Sequence, residues 1–145
     1  MKGSRGVVIE VRDNLSAIRV DGTRIVAGAG ATNAAVAEAA CAAGLSGYEF
    51  ACGIPGTVGG AAIMNAGAYD GEFSQVCACV TCVTPEGRIV EVSREEAEWS
   101  YRHSMFDAAR YVVVAATLEL TPADSADIRA RMDELTAKRE AKQAD

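Results

Sequence analysis

The run Gly53-Ile54-Pro55-Gly56-Thr57-Val58-Gly59-Gly60-Ala61 is the part of this sequence best suited to chemistry. Glycines accept positive φ and let a ligand approach the main chain closely. Pro55 fixes one φ and stiffens the segment. Successive N–H groups without side-chain cover form a concave donor surface suited to phosphate, and the Thr57 hydroxyl adds a donor. A tight-packing glycine loop with no ligand is the competing reading. Seven glycines (47, 53, 56, 59, 60, 67 and 71) punctuate this region. It is not a dinucleotide fingerprint. Gly28-Ala29-Gly30 follows a strand pattern and precedes a helix pattern, but the third glycine of G-x-G-x-x-G falls on Asn33. No G-x-x-x-x-G-K-S/T phosphate loop occurs either. The five cysteines (41, 52, 77, 79 and 82) show no zinc-finger spacing and read as reduced, buried small hydrophobes. Cys77-Ala78-Cys79 has no supporting histidine or third sulfur, so no metal site is expected.

The elements that must hold such a loop fit in 145 residues, the length of one domain or two small ones. Half the residues are apolar and 23% are charged, which excludes an intrinsically disordered chain. Only 6% are aromatic and alanine is abundant, so the core is expected to use small side chains with close backbones. A net charge of −6 argues against general nucleic-acid binding, which needs a basic footprint. It leaves room for a small anion held by amides and one or two local cations. No apolar run approaches the roughly 20 residues of a membrane span. The N-terminus lacks a signal peptide's apolar segment and cleavage site. A soluble, cytoplasmic chain with no membrane partner is the expectation.

Arg5 to Val11 reads as a strand, and Ala17–Val20 and Thr23–Ala27 as a hairpin turning at Asp21-Gly22. An alanine-rich helix follows from about Ala34 to Ala43, capped by Thr32 or Asn33 and stopped by Gly44. Val76–Val83 and Arg88–Val92 read as paired strands, and Ser93-Arg94-Glu95-Glu96 as a capping box opening a short helix. Tyr111–Leu120 is apolar enough to be a central strand. A last helix opens near Asp124, with Ile128, Met132 and Leu135 as a narrow apolar stripe and Arg129, Arg131, Lys138 and Arg139 on a solvated face. Residues 140–145 read as a polar tail. Hairpin-joined strands with few helices indicate an α+β fold with a mostly antiparallel sheet of five or six strands.

Residues 53–72, GIPGTVGGAAIMNAGAYDGE, together with SYRHSMF at 100–106, resemble the UDP-N-acetylenolpyruvoylglucosamine reductases. Residues 28–50 and 128–139 resemble the same family. The resemblance implies the second subdomain of a vanillyl-alcohol-oxidase-type FAD-binding fold. It implies FAD as cofactor, NADPH as reductant and a UDP-sugar carrying an enolpyruvyl group as substrate, in peptidoglycan precursor synthesis. By the same resemblance Arg102 is the catalytic guanidinium that polarises the substrate carboxylate; without that context it would pass for a surface arginine. Tyr101 and Tyr69 fall near the substrate. Gly53, Ile54, Pro55, Gly56, Thr57, Gly59, Gly60 and Ala61 fall along the flavin and its pyrophosphate. Asn65, Gly67 and Ala68 follow them, and Val113 falls against the cofactor. His103 reads as structural or solvent-facing.

The family also implies parts that these 145 residues do not match: an N-terminal FAD subdomain, and a C-terminal substrate domain with its proton-donating serine. Residues 1–122 are therefore expected to form an FAD-contacting subdomain core, with 123–145 as its helix and tail. Such a chain is expected to bind FAD weakly or not at all, to lack turnover, and to expose apolar surface that favours self-association. A different flavoprotein of this fold, or a non-catalytic nucleotide-binding or scaffold domain, are the other readings.

Overall fold

The structure, a computed structural model, describes residues 14–69 and 71–144. The expected strand at Arg5–Val11 lies outside the described residues. Five strands form the main sheet: β1 (Ile18–Asp21), β2 (Arg24–Gly28), β6 (Cys77–Val83), β7 (Ile89–Ser93) and β8 (Val112–Glu119). Their order is β1-β2-β8-β6-β7 with every pair antiparallel, so the long apolar strand β8 is central. Two short ladders complete the set, β3 (Leu45–Ser46) with β9 (Thr121–Pro122) and β4 (Gly67–Ala68) with β5 (Gly71–Glu72). This is the α+β architecture that the hairpin pattern predicts.

Asp21 pairs with Arg24, so the first hairpin turns at Gly22-Thr23, one residue later than expected. Gly22 has φ +62° and Thr23 does not share it, the arrangement of a two-residue turn with glycine first. Helix α1 (Asn33–Ala42) starts where Thr32 Oγ1 accepts from the Ala35 amide at 3.1 Å, and ends at Gly44 with φ +71°. Asn33 does not cap. It is buried, and its Oδ1 accepts from the Tyr48 hydroxyl at 2.8 Å. A 3₁₀ turn at Glu49–Gly53 leads to α2 (Val58–Met64). The glycine-rich stretch is therefore partly helical, because Thr57 caps the Gly60 amide and the following residues are small.

The capping box at Ser93 closes through both of its hydrogen bonds, Ser93 N to Glu96 Oε1 and Glu96 N to Ser93 Oγ. No helix follows, because Glu98 turns left-handed at φ +55° after one turn. The helices here are instead α3 (Phe73–Val76) and α4 (Met105–Ala109). Helix α5 runs from Ser125 to Ala144, so residues 140–144 continue the helix and are not a tail.

Helices α1, α2 and α5 and the 3₁₀ turn share one core cluster with Ile25, Val80 and Leu118 of the sheet. Alanines populate this core, as the composition predicts, but a row of aromatic rings also crosses it. Tyr48–Phe50, Tyr48–Phe73, Phe73–Trp99 and Trp99–Phe106 stand edge-to-face with centroids 5.3 to 6.3 Å apart. The row links the 3₁₀ turn to the segment that carries Arg102. Val114 and Ala115 form a smaller cluster with Val26 and Val83. Burial pushes the Cys77 and Cys82 thiols up, Cys82 to about 12, which keeps both protonated. No helix among the described residues is long and apolar enough to cross a membrane.

Candidate functional site

The 53–61 run divides into bonded and free amides. Ile54 N bonds Ala51 O, Val58 N bonds Ala31 O and Gly59 N bonds Ala29 O, at 2.9 to 3.0 Å. Gly60 N bonds Thr57 Oγ1 and Ala61 N bonds Thr57 O. These five close the turn and start α2, so they are not the continuous donor surface that the sequence alone implies. Gly56 and Thr57 differ: their amides have no hydrogen-bond partner among the described residues. Gly56 has φ +104°, and a Cβ built there meets nothing within 4 Å. The donor surface is thus narrow, two amides with open space beside them. Gly59 is buried with its Cα side against Ala29, where an added Cβ would lie 3.0 Å from the Ala29 Cβ, so this glycine serves packing.

Arg102 sits at the tip of a turn. Ser100 and His103 close it by reciprocal backbone bonds of 3.2 Å, leaving Tyr101 and Arg102 outermost. Tyr101 is 83% exposed, and the Arg102 guanidinium carbon lies 5.2 Å from the centre of its ring. Arg102 makes no ion pair among the described residues and holds a left-handed φ of +52°. His103 is exposed and contributes backbone only. Ser104 is buried and its hydroxyl has no partner among the described residues.

Two adjoining cavities collect these features. One, of about 540 Å3, is bordered by Asn65, Tyr69, Glu72, Tyr101 and Arg102. The other, of about 590 Å3, is bordered by Gly53, Ile54, Pro55, Tyr69, Arg139 and Lys142. Gly67, Ala68 and Tyr69 line both, so the β4–β5 hairpin is their shared wall. The Tyr69 hydroxyl donates weakly to Leu135 O at 3.4 Å, which leans its ring onto α5. The structure therefore brings Arg102, Tyr101, Tyr69, Asn65, Gly67, Ala68, Gly53, Ile54 and Pro55 to one connected region. Gly56, Thr57, Gly59, Gly60, Ala61 and Val113 border neither cavity; Gly56 and Thr57 directly follow the cavity-lining Gly53–Pro55, and Val113 is buried in β8 opposite Cys82. Among the described residues no group of three or more His, Cys, Asp or Glu could hold a metal.

Arg139 and Lys142 are the residues that the sequence reading misplaces. Arg139 is half-buried against Gly53 and not on the solvated face. The signal was present in the spacing: Arg139 follows Leu135 by four residues and Met132 by seven, and Lys142 follows Leu135 by seven. Both continue the apolar stripe of α5.

The chain is 46% identical over 141 residues to the UDP-N-acetylenolpyruvoylglucosamine reductase of Lactiplantibacillus plantarum, covering 97% of this chain and 46% of that protein. It is 47% identical over 154 residues to the enzyme of the same name from Agathobacter rectalis, covering 98% and 49%. It spans about half the length of these curated relatives. The crystal structure of UDP-N-acetylenolpyruvylglucosamine reductase from Thermus caldophilus superposes with a TM-score of 0.73 at 33% identity, over 79% of this chain and 42% of that one. Residues 1–93 match the family model described as FAD binding domain. That match covers more than half of the sequence, and the chain belongs to the FAD binding domain family.

Proposed function

We propose that this chain supplies the FAD-contacting part of a UDP-N-acetylenolpyruvoylglucosamine reductase. In that reaction NADPH is the reductant and the enolpyruvyl double bond of a UDP-sugar accepts the hydride. One observation carries the reading: Arg102, with no carboxylate partner among the described residues, borders a cavity that shares Gly67, Ala68 and Tyr69 with the cavity lined by Gly53 and Pro55.

The residues present fit FAD. Gly56 and Thr57, next in sequence to the cavity-lining Gly53–Pro55, carry two amides unpartnered among the described residues, and Arg139 and Lys142 place two cations on the cavity that Gly53–Pro55 line. Amides and cations together suit a diphosphate. When bound, FAD supplies the hydride for the reduction. The chain's own work is binding and charge. Hydride addition to an enolpyruvyl ether moves negative charge toward the substrate carboxylate. A permanently protonated guanidinium that can bind both carboxylate oxygens stabilises that charge. Tyr101, exposed on the same rim, can donate its hydroxyl to substrate, and Tyr69 lines both cavities.

In this reading residues 1–122 are the subdomain core and 123–145 its C-terminal part, whose helix Ser125–Ala144 docks through Ile128, Met132 and Leu135. The chain spans 46% of the Lactiplantibacillus plantarum enzyme, and by itself it is expected to show no NADPH-dependent turnover. A cytoplasmic location, where NADPH is held, is part of the same reading.

The test is a chimera in which this chain replaces the segment it matches in the Lactiplantibacillus plantarum enzyme. Arg102→Lys keeps the charge but loses the two-pronged geometry. It is expected to leave reduction of the flavin by NADPH intact and to slow reoxidation by substrate about 10²-fold or more. Reoxidation at the parent rate would overturn the assignment of Arg102.

A further inference from the structure

Asn65 ends helix α2 in a left-handed conformation, φ +47°, and is 6% exposed. Its side chain is fully engaged by the protein. Nδ2 donates to Ser100 O at 3.1 Å and to Glu72 Oε1 at 3.2 Å, while Oδ1 accepts from the Ser74 amide at 2.8 Å. The amide orientation is fixed by chemistry. A carbonyl and a carboxylate can only accept, so the NH2 group must face them, and the oxygen faces the one donor. No donor capacity is left over for a cofactor.

These three bonds join three pieces of chain. Ser100 O is the base of the turn that presents Tyr101 and Arg102. Glu72 ends the β4–β5 hairpin that presents Tyr69. Ser74 begins α3. Arg102 and Tyr69 therefore stand on opposite arms of the cavity, and Asn65 is the side chain that ties both arms to one helix end. Ser100 O accepts from His103 N within the turn and from Asn65 Nδ2 outside it.

We propose that Asn65 is a positioning residue for Arg102, setting the guanidinium's place across the cavity through Ser100, and not a ligand of the cofactor. The inference rests on the reading of Arg102 given above. Displacement of a reacting or charge-stabilising group by about 1 Å costs on the order of 10²-fold in rate, which is the scale expected when the tether is cut.

Two variants separate positioning from folding. Asn65→Gly keeps a residue suited to the left-handed helix end and removes all three bonds. Asn65→Asp is isosteric, keeps the bond from Ser74 N, and sets a carboxylate against Ser100 O and Glu72. In the chain itself, both variants are expected to speed amide hydrogen exchange at His103 at least tenfold, with exchange in β8 unchanged. In the chimera, both are expected to slow reoxidation by substrate about 10- to 100-fold while reduction by NADPH keeps its rate. Adding Glu72→Gln to Asn65→Asp restores a donor for the carboxylate from the hairpin but not the bond to Ser100. The pair should regain melting temperature without regaining the reoxidation rate. Joint recovery of both would show a purely structural role and overturn the proposal. So would unchanged His103 exchange and parent reoxidation in Asn65→Gly while Arg102→Lys is slow. If Arg102→Lys itself reoxidises at the parent rate, the reading of Arg102 fails first, and the positioning claim falls with it.

Discussion

Gly71 and Gly53 flank the shared wall of the two cavities and make a matched pair of perturbations. A Cβ at Gly71 would lie 2.7 Å from the Phe50 ring, and one at Gly53 would lie 2.6 Å from Arg139 Nη1. The distances are nearly equal, but the obstacles are not. Phe50 is 8% exposed and its ring stands edge-on to Tyr48 at 5.3 Å, so it cannot swing away without disturbing the aromatic row. Arg139 meets Gly53 mainly with the end of a long, half-exposed side chain that can rotate. Neither glycine has a positive φ, so alanine adds no backbone strain at either site. For Gly71→Ala, overpacking costs about 1–3 kcal/mol. Loss of unfolded-chain freedom returns about 0.4–1 kcal/mol. The net destabilisation of about 1–2 kcal/mol corresponds to a fall in Tm of roughly 2–8 °C at this size. For Gly53→Ala the same gain is set against a rotamer change, and Tm should stay within about 2 °C of the parent. Thermal unfolding followed by circular dichroism reads both. Equal losses for the two variants, or no loss for Gly71→Ala, would refute the claim that Phe50 is locked and Arg139 is not.

Other outcomes follow from the same coordinates. Tyr48→Phe leaves the buried Asn33 Oδ1 without its 2.8 Å donor and should cost about 1–3 kcal/mol, read as a shift in urea midpoint at unchanged m-value. Alkaline stability should depend on the buried thiols. Their pKa values are higher folded than unfolded, so the stability they contribute is present below the unfolded value near 9.0 and is lost as pH rises from there toward about 12. Replacing Cys77 by Ala and Cys82 by Val should flatten that alkaline slope in urea titrations between pH 9 and 11, and an unaltered slope would contradict the assignment.

Much of the fold was legible because its signals are local. The Asp21-Gly22 region, the Thr32 cap, the paired strands at 77–83 and 89–93 and the central strand at 112–119 each follow from periodicity and turn chemistry. The site was legible as residues but not as geometry. Nothing in GIPGTVGGA tells which amides turn inward: Val58 and Gly59 bond Ala31 and Ala29, some 27 to 30 positions earlier, while Gly56 and Thr57 have no partner among the described residues. The false helix after Ser93 had a sound local cap, and it was the left-handed Glu98, serving the approach to the Arg102 turn, that stopped it. Asn65 is assigned to the cofactor segment by the family resemblance alone. Its three partners come from segments up to 35 residues away, which spacing alone does not bring together.

In the proposed reading the amides of Gly56 and Thr57, next in sequence to the cavity-lining Gly53–Pro55, receive the phosphates of FAD. Hydrogen–deuterium exchange of the chimera described above, with FAD bound and after its removal, is the measurement that reads this. Slower exchange is expected at Gly56 and Thr57 when FAD is bound, with Val58 and Gly59 unchanged because they are already bonded within the chain. FAD that leaves the Gly56 and Thr57 amides exchanging at their free rate would contradict it.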